Sequence, residues 1–135
     1  METDRKTTAL APIIPLLREK AEFALVFGSL KSGRIMPESD IDIGVYLKKG
    51  KPDFEEYFKL KGALSDASDR DVDLVILNAC DIIIAMQIIA NGELIINNNP
   101  GMFIRYKAEK ISQYIDFKMS RKIIEENLLR GGIHA

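Results

Sequence analysis

Cysteine, histidine and an excess of either charge are all scarce in this chain of 135 residues. The single cysteine, Cys80, cannot close an internal disulfide and has no neighbours for a zinc-ribbon spacing, so a reducing compartment, the cytoplasm, is expected. Nineteen Lys+Arg against 20 Asp+Glu exclude a basic nucleic-acid glove, an acidic buffer and a strongly charged tail, and no direct nucleic-acid binding is expected. Long apolar runs are missing too. Asp81, Glu93 and Arg105 interrupt the most hydrophobic third before it reaches the roughly 18 residues that cross a bilayer, so no membrane span is expected. The start does not read as a signal peptide: Glu2 and Asp4 dilute its basic end, Pro12 and Pro15 interrupt the apolar stretch, and Arg18, Glu19 and Lys20 stand where small residues belong. His134, the only histidine, lies one residue from the end and is assigned no role. What is present is ordinary: 47% hydrophobic and 29% charged residues, enough for one real core, so residues 1–135 are read as one domain whose function comes from a local site.

The order of elements is informative. Leu10, Ile13, Ile14 and Leu17 keep helical spacing, with proline tolerated only in a first turn. Phe23 to Phe27 is a continuous apolar run ending at Gly28, which reads as a buried central strand. Ser39 to Leu47 then alternates, with Ile41, Ile43, Val45 and Leu47 on one face and Asp40, Asp42, Gly44 and Tyr46 on the other. A helix is expected from Phe54 to Leu64, and a second alternating strand over Asp71 to Leu77 puts Asp71 and Asp73 opposite Val72 and Leu74. Asp81 is placed to cap an apolar helix that Asn91-Gly92 ends. A short strand at Glu93 to Asn97 follows, then two C-terminal helices between about 102 and 130, Met102 to Phe117 and Ser120 to Leu129. The expected class is α+β, a sandwich of a small mixed sheet with helices on one face.

Asp40, Asp42 and Asp73 share the side of their strands that a core has no use for. Ionised carboxylates brought together repel unless a cation neutralises them, which points to Mg²⁺ or Mn²⁺ held by oxygen ligands and hence to phosphate transfer. Gly28-Ser29, at the end of a buried strand, offers free backbone N–H groups and a hydroxyl to phosphate oxygens. Alone, Gly-Ser is an ordinary turn and Asp-x-Asp a solvated edge; their common register carries the reading. Core and interface packing explain the four tyrosines as well as base stacking does, and Tyr46, on the Asp42 face, is the best placed of them to stack. Cys80 is most simply a small buried residue. The apolar Ile82 to Ile89 helix and the amphipathic C-terminal helix offer surfaces for a partner or a second copy, and oligomers are expected.

The combination Gly28-Ser29, Ser39-Asp40-Ile41-Asp42 and Asp71-Val72-Asp73-Leu74-Val75 resembles the nucleotidyltransferase superfamily of DNA polymerase beta. More narrowly it is similar to the minimal nucleotidyltransferases, small prokaryotic proteins encoded beside partners with a HEPN domain. The resemblance takes in most of the chain, including Asn91-Gly92-Glu93-Leu94-Ile95 and Tyr114-Ile115-Asp116-Phe117-Lys118. It departs after Gly-Ser: the family often has a small residue, an arginine and a glycine there, and this chain reads Leu30-Lys31-Ser32-Gly33-Arg34, so Lys31 or Arg34 is the source of positive charge.

That resemblance implies a nucleotidyltransferase fold, two Mg²⁺ ions on Asp40 and Asp42 with Asp73 completing the acceptor side, and a nucleoside triphosphate, ATP, along Gly28, Ser29 and Lys31. Asp73 is preferred to Asp71 as the third carboxylate only because of its Val-Asp-Leu-Val setting. The implied activity is that of an antitoxin transferring AMP from ATP to a tyrosine hydroxyl of a HEPN ribonuclease toxin. Two alternatives stay open: a small-molecule nucleotidyltransferase of the aminoglycoside-modifying kind, and a catalytically idle antitoxin acting by binding alone.

Overall fold

The computed structural model describes residues 9–28 and 40–130. Helix α1, Ile14–Lys20, starts where the prolines permit, with Pro15 in its first turn, and its Leu17 is fully buried. The next three elements are strand β1, Ala21–Phe27, strand β2, Ile41–Leu47, and helix α2, Phe54–Ser68. Asp53 closes the start of α2 with a capping box: its side chain accepts from the Glu56 N–H at 2.8 Å, and Glu56 Oε1 accepts from the Asp53 N–H at 3.3 Å. Strand β3, Val72–Ile76, helix α3, Ile82–Asn91, strand β4, Glu93–Asn97, and helix α4, Pro100–Leu129, complete the order. Asp81 caps α3 through the Ile83 N–H at 2.7 Å and Gly92 ends it, as expected.

The strands form one mixed sheet in the order β3-β2-β1-β4, with β1 antiparallel to both neighbours and β2 parallel to β3. The α+β class holds, but the helices are not confined to one face. Ala24, Val26, Ile43 and Leu74 pack with Leu17 and Leu64 under α1 and α2. Phe23, Leu25 and Leu77 pack with Ile88 and Tyr106 under α3 and α4. The reason lies in β1, whose unbroken apolar run presents side chains to both sides and so needs cover on both. Gly44 admits α3 closely, since a Cβ there would sit 3.1 Å from Ile88 Cγ2 and 3.3 Å from Leu77 Cδ2.

Strand β3 is an edge. Its odd-numbered residues bond to β2, with Ile41 N–H donating to the Asp71 carbonyl at 2.9 Å and Leu77 N–H to the Val45 carbonyl at 2.8 Å, so the backbone N–H and C=O groups of its even-numbered residues point away from the sheet. Side chains of α2 cover part of that edge: the Tyr57 hydroxyl donates to the Leu74 carbonyl at 2.7 Å, and Val72 N–H donates to Ser65 Oγ at 3.3 Å. Asn78 closes the far end of the ladder, its amide exchanging two hydrogen bonds with the backbone of Leu47 at 2.8 and 3.0 Å.

The C-terminal region differs from expectation. It is one helix of 30 residues, Pro100–Leu129, rather than two. Lys118-Met119, where a break was expected, are both good helix formers with no glycine, proline or capping residue between the two apolar stretches. At about 1.5 Å per residue α4 is roughly 45 Å long. Its first turns cross the sheet: Phe103 and Tyr106 lie with ring centroids 4.9 and 5.3 Å from Phe23, and the Tyr106 hydroxyl donates to the Leu77 carbonyl at 2.8 Å. Burial pushes that phenol well above its usual range, so it stays a neutral donor. Tyr106→Phe leaves the Leu77 carbonyl without its partner and is expected to destabilise the fold by about 1–2 kcal/mol. In urea unfolding this appears as a lower midpoint with an unchanged slope. Among the described residues no helix is long and apolar enough to cross a membrane.

Candidate active site

The site is assembled by register. On β1 and β2 the antiparallel partners Phe27 and Asp42 end the pairing, and Gly28 turns the chain immediately beyond. On β2 and β3 the parallel partners are Asp42 and Asp73, so both carboxylates leave the same face of the sheet on adjacent strands. Asp40 stands exposed just before β2 begins. Apolar partners Ile41–Val72 and Ile43–Leu74 hold the alternation in place by filling the opposite face.

The Asp42 carboxyl is pushed above the ordinary carboxylate range, first by burial, then by the charges of Asp73 and Asp40, and by a hydrogen bond that its protonated form donates to Asp73. Asp71 precedes the strand, exposed, and its carbonyl accepts from Ile41. Register sets Asp42 beside Asp73, and both Asp73 and Asp40 act on the Asp42 carboxyl.

Gly28 is held at φ +73°, and a Cβ at that position would collide with Asp42 Oδ2 and lie 3.1 Å from Asp42 Cγ. Only glycine lets the turn pass this close to the carboxylate. Its contact with Asp42 was not read from the sequence, because the two residues meet only through the β1–β2 pairing. Ser29, Lys31 and Arg34 lie outside the described residues. Tyr46, for which base stacking and core packing were both open, packs against the core: its ring stacks on Phe23 at 5.0 Å and meets Tyr106 edge-on at 5.5 Å. Cys80 is half-buried, and its thiol is pushed up chiefly by burial.

The donor set is all-oxygen and carries repulsion that a hard divalent cation would relieve, so Asp40, Asp42 and Asp73 fit Mg²⁺ or Mn²⁺ by their chemistry. Among the described residues no three acidic, histidine or cysteine side chains close into a formed cation cage. A carboxylate cluster beside a close-approach glycine at a strand end is an arrangement suited to phosphoryl or nucleotidyl chemistry, in which positioning and charge neutralisation supply most of the effect.

Comparison with known proteins agrees with that chemistry. Residues 12–101 match the family described as polymerase beta, nucleotidyltransferase. No curated protein matches the chain. Among solved structures, a toxin-antitoxin with AMP-PNP is 28% identical and superposes with a TM-score of 0.74, over 88% of this chain and 97% of that one. The toxin-antitoxin MntA-HepT is 26% identical at a TM-score of 0.70, over 90% and 97% of the two chains. A complex of tri-AMPylated Shewanella oneidensis HEPN toxin with MNT antitoxin shares the fold, at 22% identity and a TM-score of 0.69 over 96% and 99%. The match spans the first helix, all four strands and the carboxylate-bearing register, and the chain belongs to the polymerase beta nucleotidyltransferase family.

Proposed function

We propose that this chain is the antitoxin of a toxin–antitoxin pair and transfers AMP from ATP to a tyrosine hydroxyl of a HEPN-domain ribonuclease partner in the cytoplasm. The observation that carries the reading is the Asp42–Asp73 pair in parallel register, with Asp40 beside it and Gly28 against the Asp42 carboxylate. The choice of ATP rests on the AMP-PNP complex of the 28%-identical relative, and the choice of a protein acceptor on the toxin-antitoxin relatives.

In this reading Asp40 and Asp42 hold divalent metal, with Asp73 completing the site on the acceptor side. Bound there, the metal supplies charge neutralisation and Lewis acidity toward the phosphates. Gly28 gives the triphosphate room at the strand end, and Ser29 and Lys31 are assigned its hydroxyl and cationic contacts. Asp73 faces the acceptor and takes the tyrosine proton as the phenolic oxygen bonds to the α-phosphorus. The bond from that phosphorus to the bridging oxygen breaks, and pyrophosphate leaves with the electron pair.

The test is transfer of label from α-labelled ATP, with Mg²⁺, to a co-purified HEPN protein, followed by mapping of the modified residue. Label on a tyrosine, in increments of AMP, is the expected result. Label confined to a small-molecule acceptor, or neutralisation of the toxin that survives loss of Asp40, Asp42 and Asp73 together, would overturn it.

A further inference from the structure

The face of the sheet that carries Asp42 and Asp73 is divided along its strands. On β2, Asp42 belongs to the carboxylate group, Gly44 lies under Ile88 of α3, and Tyr46 lies against Tyr106 of α4. On β1 the order repeats: Phe27 pairs with Asp42, Leu25 meets α3 at Gly92, and Phe23 meets Phe103 and Tyr106 of α4. Helix α3 therefore lies between the carboxylates and α4, crossing from Gly44 on β2 to Leu25 on β1. Two strand residues, about 7 Å, separate Gly44 from Asp42.

The two flanks of α3 differ. On one, Ile89 belongs to the cluster that Phe103 and Tyr106 of α4 close, and Met86 beside it is partly buried. Ile84, Gln87 and Asn91, at i, i+3 and i+7, lie about 150° round the helix from Ile89. All three are exposed, Ile84 by 42%. The flank turned away from α4 is the one turned toward the carboxylates. A solvated helix flank ordinarily carries charge, but no charged residue stands between Asp81 and Glu93. This flank offers instead one branched apolar side chain and two carboxamides.

The geometry of transfer selects what meets it. Leaving pyrophosphate, α-phosphorus and attacking oxygen lie roughly in line. Gly28 ends β1, Asp42 stands on β2 and Asp73 on β3. With phosphates at Gly28 and the acceptor at Asp73, that line runs across the strands alongside α3. The nucleoside leaves the α-phosphorus to the side of the line, and among the described residues the element flanking the line over the sheet is α3. Its chemistry suits a base, which is uncharged, apolar on its faces and polar at its edge. A carboxamide pairs donor and acceptor, matching N6 and N7 of adenine, whereas O6 and N7 of guanine are both acceptors.

We propose that the exposed flank of α3 is the wall that recognises the base of the nucleotide, with the Gln87 carboxamide on the adenine edge and Ile84 against the ring, and that it sets a preference for ATP over GTP. This rests on the nucleotidyl-transfer reading above. Gly44 is part of the device: lacking a side chain, it lets Ile88 seat α3 on the strand that carries Asp42, which fixes how far Gln87 stands from the carboxylates.

The test measures binding of ATP, GTP and inorganic tripolyphosphate, each with Mg²⁺, to the full-length chain without an acceptor. The wild type is expected to bind ATP at least about tenfold more tightly than GTP. Gln87→Met keeps the length and helix propensity of the side chain and loses its amide. It is expected to raise the Kd for ATP about tenfold and to leave those for GTP and tripolyphosphate unchanged. Gln87→Arg, whose guanidinium suits the two acceptors of guanine, is expected to reverse the preference. Ile84→Ser is expected to weaken ATP and GTP alike, about threefold, again without effect on tripolyphosphate. Both positions are exposed, and tripolyphosphate binding reports an intact phosphate site in every variant. The proposal is overturned if the wild type binds ATP no more tightly than GTP, if Gln87→Met leaves ATP affinity unaltered, or if tripolyphosphate weakens as much as ATP. Failure of the transfer reading looks different. A chain that discriminates ATP through Gln87 yet labels no acceptor defeats that reading and leaves the base wall standing. AMP transfer to a HEPN tyrosine that Gln87→Met leaves as efficient as wild type at subsaturating ATP does the reverse.

Discussion

Asp42→Asn is expected to lower AMP transfer by about 10³-fold, roughly 4 kcal/mol of transition-state stabilisation, while making the metal-free protein more stable at neutral pH. The two effects have one cause. Asp42 sits half-buried between Asp73 and Asp40, and asparagine keeps its shape while removing the charge that the other two repel. The sign of the stability effect follows from proton binding. The folded Asp42 carboxyl has a raised pKa, so between the ordinary carboxylate value of 3.8 and its own higher value the native state binds more protons than the unfolded chain. Stability therefore falls as pH rises through that window, and the deficit is fully present at pH 7. Thermal unfolding at pH 7 without divalent metal should show a higher Tm for Asp42→Asn, and the difference should vanish at pH values below the ordinary carboxylate range. Adding Mg²⁺ should raise the Tm of the wild type and have much less effect on the variant, because a ligand that binds only the folded state stabilises it. Equal Tm responses to Mg²⁺ in both would remove Asp42 from the metal site.

Gly28→Ala is expected to be nearly as damaging to activity, with a loss of about 10²-fold or more, through a different route. At φ +73° an alanine costs about 1–2 kcal/mol in backbone strain alone. Its methyl would also overlap Asp42 Oδ2, so the carboxylate must move or the turn must open. Gly50→Ala is the matched control: φ is +85° there, and the space around an added Cβ is empty. The control should show the stability loss with transfer intact. If both variants retain full activity, the close approach of Gly28 to Asp42 has no catalytic role.

The carboxylate trio was legible in the chain because β-strands alternate. Ile41 and Ile43 must face the core, so Asp40 and Asp42 must face away, and Val72 and Leu74 do the same for Asp73. Alternation does not say which strand lies next to which, and the parallel pairing of Asp42 with Asp73 is a property of the sheet alone. The same limit explains Tyr46. It shares the Asp42 face, but four residues further along the strand that face is already under Phe23 and Tyr106, so what begins as a site ends as core. The placement of helices on both faces was implicit in the unbroken apolar run of β1. The single long α4 was equally implicit in the absence of any breaker between Phe117 and Ser120.

Composition and strand periodicity were enough, by themselves, to set the α+β class and the face on which each aspartate lies, because side-chain direction within one strand is a local consequence of backbone geometry. Tertiary structure alone decided that Gly28 abuts Asp42, that Asp42 and Asp73 are partners across parallel strands, and that the second half of α4 stands exposed. Each of those depends on contacts between residues far apart in the chain, and such contacts are set by how the elements pack together, which no local pattern records.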